Sequence, residues 1–126
     1  MSWLREVFGV SKPVIGMVHL PALPGSPLYD SSRGMDGILE WARRDLHALQ
    51  DGGIDGVMFC NENDRPYTLK ADQATVAAMA AVVGMLRDEI RVPFGIDILW
   101  DPFAALAVAH ATGAQFIREV FTGVYA

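Results

Sequence analysis

The sequence predicts an α/β fold built from parallel (β/α) units, about the first four strands of an eight-stranded barrel, preceded by a short N-terminal helix. Three observations predict it. Short apolar runs alternate with helical patterns four times along the 126 residues, and such alternation forms βαβ units and a parallel sheet. The links from helix back to strand are short, as at Asp51-Gly52-Gly53 and Thr112-Gly113. Polar residues gather where the apolar runs stop: Asn61-Glu62-Asn63-Asp64-Arg65 after Cys60, and Trp100-Asp101 after Leu99. In parallel sheets and barrels, ligands sit outside the carboxyl ends of the strands, so these clusters fall where such a fold places chemistry.

Trp3, Leu4, Val7 and Phe8 recur at helical spacing before Ser11-Lys12-Pro13 breaks the pattern, which predicts a short amphipathic helix covering one end of the sheet. Val14 to Leu20 is apolar on both faces and reads as a buried parallel strand. Pro21 to Pro27, with three prolines and a glycine, is a long restricted loop of the kind that often carries function. Asp36 is expected to cap a helix that buries Ile38, Trp41, Ala42, Leu46 and Leu49, with Glu40 and Arg44 paired on its outer face. Gly52-Gly53 ends it, and Ile54 to Cys60 is the second strand. Asp72 then caps a helix with Val76, Met79, Ala80, Val83, Leu86 and Ile90 inward. Pro93 to Trp100 is the third strand, and Asp101-Pro102 opens a helix that runs to about Ala111. Gln115 to Phe121 is the fourth strand. A barrel of eight units needs about 250 residues. This length supplies roughly half, so the expectation is the N-terminal half of one barrel domain, with the C-terminal half missing or its exposed strand edges covered by homo-oligomerisation.

Hydrophobic content of 52% is ample for a core. A net charge of −5 with two lysines, Lys12 and Lys70, excludes the basic stripe that nucleic acid requires. A single cysteine, Cys60, excludes an internal disulfide and fits a reducing compartment. The first residues carry mixed charge and lack a signal-peptide core, while the longest apolar run, Val76 to Leu86, is too short to span a bilayer. A cytoplasmic protein with no transmembrane segment is therefore expected.

Several segments together resemble the BtpA family of TIM-barrel proteins, most closely its SgcQ-like branch. They are Pro13 to Leu20 with Leu23-Pro24-Gly25, Gly52 to Met58, Asn61-Glu62, Pro93-Phe94-Gly95, Leu99 to Pro102, and Phe116 to Glu119 with Phe121-Thr122-Gly123. The resemblance spans essentially the whole chain and implies a TIM barrel of about twice this length. One branch of that family is associated with photosystem I biogenesis as an extrinsic membrane factor, and the SgcQ-like branch with sugar-uptake gene clusters. Two departures from the wider family add carboxylate: Asp97 where many relatives carry asparagine, and Glu119-Val120 where Val-Asn follows the fourth-strand arginine.

Strand alternation points Asp97 to the barrel interior with Gly95 and Leu99, while Phe94, Ile96 and Ile98 face the helices. A buried carboxylate is costly unless paired or metal-bound, so Asp97 is a candidate catalyst or metal ligand, with a structural ion pair as the alternative. Arg118 and Glu119 are consecutive and must point to opposite sides. Arg118 turned inward beside Asp97 is the economical arrangement, either as a structural pair or as an anion clamp. Glu62 is a candidate general base or metal ligand, and Asn61 a substrate binder, unless the run to Asp64 only makes turns. His19 ends the first strand and is a catalytic candidate or a satisfied core imidazole. Trp100 and Glu119 are candidate substrate contacts. Trp100 can stack on a sugar or seal the barrel mouth, and Asp101 reads first as a helix cap. Cys60 reads as a small core residue.

No lysine ends a predicted strand, which disfavours Schiff-base chemistry here. Mainly oxygen ligands, with His19 as one nitrogen, would suit Mg2+ or Mn2+ over zinc. The expected function is acid–base or divalent-metal chemistry on a small sugar or sugar phosphate. The alternatives are a noncatalytic assembly or stability factor of the BtpA type, or an inactive truncated fragment.

Overall fold

The computed structural model describes residues 2–120. A helix, α1 (Trp3–Phe8), leads into β1 (Ile15–His19), α2 (Gly34–Asp51), β2 (Gly56–Cys60), α3 (Gln73–Leu86), β3 (Phe94–Asp97), α4 (Pro102–Thr112) and β4 (Phe116–Ile117). The four strands form one sheet in the order β1-β2-β3-β4, and each neighbouring pair is parallel. That monotonic order decides the architecture. A doubly wound sheet reverses strand order at a switch point, whereas this sheet never does, as in one half of a (β/α)8 barrel.

Residue alternation separates the two faces of the sheet. Val18, Val57, Phe59, Phe94, Ile96 and Ile98 are buried against the helices, with Leu46, Met79, Val83 and Val108 among their partners in one core. On the other face, register places Met17 beside Met58 and Gly95 beside Phe116. At the amino ends of the strands, the Phe8 ring of α1 lies 2.7 Å from where a Cβ on Gly56 would stand, and its centroid is 5.4 Å from that of Phe116. Helix α1 thus closes the lower end of the sheet, as its spacing predicts. Asp55 ties the same end, accepting the Val14 N–H at 2.8 Å while its own N–H bonds back to the Val14 carbonyl.

The helices correct several expectations. Helix α2 starts two residues before Asp36, and its N-cap position is Arg33, which makes no side-chain capping bond. Asp36 instead lies in the first turn, where its charge suits the helix dipole. Glu40 pairs with Arg43 rather than Arg44, because Arg43 faces the neighbouring turn and also holds Glu89 at 3.0 Å. Arg44 stacks over Trp41 at 4.7 Å. Trp41 is not a core residue: it stays 37% exposed and donates its indole N–H to the His19 carbonyl. In α3 the fully shielded face includes Thr75, Ala78 and Val82, whereas Val76 and Ala80 are only half-buried. This helix is apolar almost all round and packs on α2 and α4, so the pattern does not select one face. It then tightens into a 3-10 turn, Arg87–Glu89, before Ile90.

Asp72 and Asp101 cap α3 and α4 as expected, accepting from the Ala74 and Ala104 N–H groups at 2.7 and 3.0 Å. Strand β1 is less shielded than its composition implies, with Val18 alone buried among its five residues, because among the described residues no strand pairs with its outer side. Strand β4 is two residues long rather than seven, and Phe121 lies outside the described residues.

Gly95 is a packing requirement, since a Cβ there would overlap the Phe116 ring, while a Cβ on Gly84 of α3 meets nothing within 4 Å. Gly95→Ala is expected to lower stability by about 1–3 kcal/mol through overpacking, and Gly84→Ala to raise it by roughly 0.5–1 kcal/mol through helix propensity. Urea unfolding midpoints of the two variants check both signs.

Candidate functional site

The carboxyl ends of the strands carry one lateral row of side chains. Register pairs His19 with Cys60 and Cys60 with Asp97. The Arg118 N–H bonds the Ile96 carbonyl just past β4, which extends the row to Arg118. Each of these side chains points away from the helices because each is two residues beyond an inward-facing neighbour. Glu62, two residues after Cys60, rises above the row. Its Oε2 is 3.9 Å from the Cys60 Sγ, the Sγ is 3.5 Å from Asp97 Oδ2, and Arg118 Nη2 donates to the same Oδ2 at 2.7 Å. Glu62 also lies 3.9 Å from Arg65. Predicted candidates from all four strand ends therefore converge, with Arg118 beside Asp97 as strand alternation requires.

Burial sets the electrostatics. The Asp97 carboxyl is fully shielded, and burial raises its pKa; Arg118 and the Cys60 thiol oppose that rise, while Glu62 adds to it. Its Oδ1 has no partner among the described residues. Burial, with the Asp97 charge second, also drives the Cys60 pKa far upward, so in isolation Cys60 is a thiol and not a nucleophilic thiolate. Arg118 keeps 54% of its side chain exposed, leaving guanidinium edge open toward solvent. Cys60 is fully buried, as its reading as a small core residue expects, and what that reading did not foresee is its contact with both Asp97 and Glu62. Its even spacing from Met58 put it on the inner face, and its place next to Asn61-Glu62 was the available signal.

Asn61 is differently placed from a free substrate contact. It is buried, its Oδ1 accepts the Leu99 N–H at 2.8 Å, and its amide donates to Asp64 Oδ2 at 3.3 Å. Asp64 in turn accepts the Leu23 N–H at 2.7 Å, and Asn63 donates to the Leu20 carbonyl at 2.7 Å. The proline-rich loop after β1 is thus fastened to the β2 end. Tyr67 donates its hydroxyl to the Glu62 carbonyl at 2.6 Å, and its ring meets Trp100 edge-on at 5.7 Å. Trp100 has a left-handed backbone, φ 70°. Glu119 stabilises that bend, its Oε1 accepting the Trp100 N–H at 2.8 Å and the Val120 N–H at 3.1 Å. Glu119 therefore acts on the backbone of the rim, and Trp100 leaves an exposed ring edge at the mouth.

A family model described as the BtpA family matches residues 10–126. The chain belongs to the BtpA family. Among the relatives of this BtpA-family chain, the sgc region protein SgcQ of Escherichia coli is 55% identical over 126 residues, covering 100% of this chain and 47% of the relative. An uncharacterized protein of Thermococcus kodakarensis, TK2179, is 45% identical over 90% of this chain and 43% of its own length. The photosystem I biogenesis protein BtpA of Synechocystis is 39% identical over 98% of this chain and 43% of its own. The BtpA-family chain spans about half the length of the curated relatives it matches. No solved structure matches it.

Glu62 and Asp97 do not form a shared oxygen pair in this BtpA-family chain, because the Cys60 sulfur stands between them. A cation on Asp97 Oδ2 would also meet the Arg118 guanidinium at that oxygen, so the two carboxylates fit an Mg2+ or Mn2+ site poorly. Below the loops, Asn61, Asp64, Tyr67, Lys70 and Thr75 line a cavity of about 300 Å³. Among the described residues no helix is long and apolar enough to cross a membrane.

Asp64→Ala is expected to destabilise the protein by about 1–3 kcal/mol, since it strands the buried Leu23 N–H. Asp64→Asn keeps an acceptor there and should cost less in the same urea titration. Burial holds the Glu119 carboxyl above its ordinary 4.5. The native state then binds that proton more tightly than the unfolded chain, so its stabilising contribution is full below 4.5 and is lost as pH rises through the folded value. Glu119→Gln retains the accepting oxygen and should gain stability relative to the parent as pH rises, read as unfolding midpoints over about pH 4–8.

Proposed function

We propose that the strand-end row belongs to an enzyme site for a small sugar or sugar phosphate, with Glu62 transferring a proton and Arg118 holding the substrate's anion. One observation carries this reading: a half-exposed guanidinium is anchored on a fully buried carboxylate, 2.7 Å away, at the carboxyl end of a parallel strand. A structural ion pair has no need of an open guanidinium, whereas an anion clamp does. Asp97 fixes the fork, and Arg118 offers its remaining N–H groups to a phosphate or carboxylate. Glu62, half-buried and held by its carbonyl on Tyr67, stands across the row where a hydroxyl proton would be exchanged. The Trp100 and Tyr67 rings at the rim supply an apolar edge of the kind sugar rings pack against.

A second reading is favoured by a relative named photosystem I biogenesis protein BtpA, 39% identical to this chain. On that reading this chain is a noncatalytic assembly factor. Glu62→Gln separates the two, since an enzyme loses turnover with substrate binding kept, and an assembly factor loses nothing at this position.

Calorimetric titration of the purified protein with a panel of sugar phosphates tests the first reading. Arg118→Met should weaken binding by about tenfold or more, as removal of a charge-assisted hydrogen bond does. The double variant Arg118→Met, Asp97→Asn removes the stranded buried charge and should fold while still failing to bind. Silence across the panel, or equal binding by parent and Arg118→Met, overturns the assignment.

A further inference from the structure

We infer that His19, Cys60 and Glu62 form a binding site for a borderline divalent transition ion, Zn2+ being the best fit, at the carboxyl ends of β1 and β2. The inference rests on the reading of these strand ends as the working site, and it adds an ion and three named ligands to it, Glu62 binding through the Oε2 that faces Cys60 and keeping Oε1 for proton transfer.

One ring nitrogen of His19, the Cys60 Sγ and one Glu62 oxygen all lie within 4.8 Å of one another. Metal bonds of about 2.0–2.3 Å set tetrahedral donors roughly 3.3–3.8 Å apart. The 3.9 Å between Cys60 Sγ and Glu62 Oε2 is already near that value. His19 is exposed, so its side chain has room to rotate and shorten the two edges it makes with Cys60 and Glu62. Three protein ligands with one position open is the pattern of a zinc site that keeps room for water or substrate.

The second observation is independent of the trio. Asp97 is fully buried, its Oδ1 lacks a partner among the described residues, and its Oδ2 is 3.5 Å from the sulfur. An ion held by the trio would lie beside this buried, incompletely partnered carboxylate and supply positive charge that its burial calls for. A divalent ion balances Glu62 and the Cys60 thiolate formed on binding, while Arg118 stays on Asp97. Binding releases the thiol proton to solvent as the metal–sulfur bond forms, with no change of oxidation state.

Donor chemistry selects the ion. Sulfur and imidazole favour zinc and its neighbours, whereas Mg2+ takes oxygen ligands and keeps its water. Access is open from the rim, because His19 is exposed and Glu62 half-buried above the sealed sulfur.

The test uses purified, reduced protein treated with chelator and titrated with Zn2+, Mg2+ or Co2+ alone, with no sugar phosphate present. One equivalent of Zn2+ should bind, Mg2+ should not compete, and Co2+ should give a near-ultraviolet thiolate-to-metal absorption band. Cys60→Ser should abolish that band, and His19→Gln should weaken Zn2+ affinity by about tenfold or more. His19 is exposed, so that variant remains informative if Cys60→Ser fails to fold, and circular dichroism checks folding in both. No binding by the folded parent, or affinities unchanged in His19→Gln, overturns the site. Loss of the ion with sugar-phosphate binding intact removes this inference alone. Ion binding without sugar-phosphate binding removes only the substrate assignment.

Discussion

A carboxylate sealed from water on the strand face turned away from the helices has to be compensated where it stands, and the Asp97–Arg118 contact is that compensation. Burying a charge costs several kcal/mol unless an opposite charge and hydrogen bonds meet it. Here the partner comes from the next strand in the row, at 2.7 Å, so the compensation depends on β4 lying parallel and in register beside β3. The arrangement is asymmetric. Arg118 meets one oxygen and leaves the other without a partner among the described residues, which keeps the centre of the row short of positive charge. Cys60, wedged between Asp97 and Glu62, feels the same shortage. Such incomplete satisfaction costs stability and is characteristic of places where a ligand is to be received.

The sheet can bear that cost because both of its ends are fastened. At the lower end, Phe8 and Phe116 fill the space that Gly56 and Gly95 leave, and the Asp55–Val14 hydrogen bonds tie the backbone beside them. At the upper end, polar bonds do the work: Asn61 joins β2 to the loop after β3, Asp64 joins it to the loop after β1, and Glu119 joins β4 to Trp100. Three loops of the rim are thereby linked through side chains that sequence alone presents as turn formers or ligands. The consequence is rigidity around Glu62, whose carbonyl is fixed by Tyr67 while its carboxylate stays free to act.

Much of this was legible in the chain. The alternation of Gly95, Asp97 and Leu99 against Phe94, Ile96 and Ile98 assigned both faces of β3 correctly, and the consecutive Arg118 and Glu119 had to diverge. What sequence could not give was the partner of each polar group. Asn61 and Glu62 are adjacent and chemically similar, yet one is consumed by the Leu99 N–H and the other is not, and only the approach of β3 to β2 decides which. Arg43 and Arg44 posed the same problem on α2, resolved by the proximity of Glu89 from the turn after α3. On helix α3 the six expected inward residues all lie in or against the core, and only the burial of Thr75, Ala78 and Val82 was not foreseen, since an almost wholly apolar helix contains no periodic signal to read.

Exposure along the row follows from position in the sheet rather than from residue type. Cys60 and Asp97 occupy the two central strands and are fully shielded, while His19 and Arg118 stand on the outer strands and reach water. A polarisable sulfur and an under-compensated carboxylate are thereby placed in the interior, with the two groups able to approach a ligand at its sides. The same side chains in another strand order would lose this division, because a residue on an edge strand has neighbours on one side only. Sequential parallel order is therefore more than a route to a barrel: it sorts one row of four side chains into a buried pair that creates an electrostatic demand and an exposed pair that admits whatever answers it.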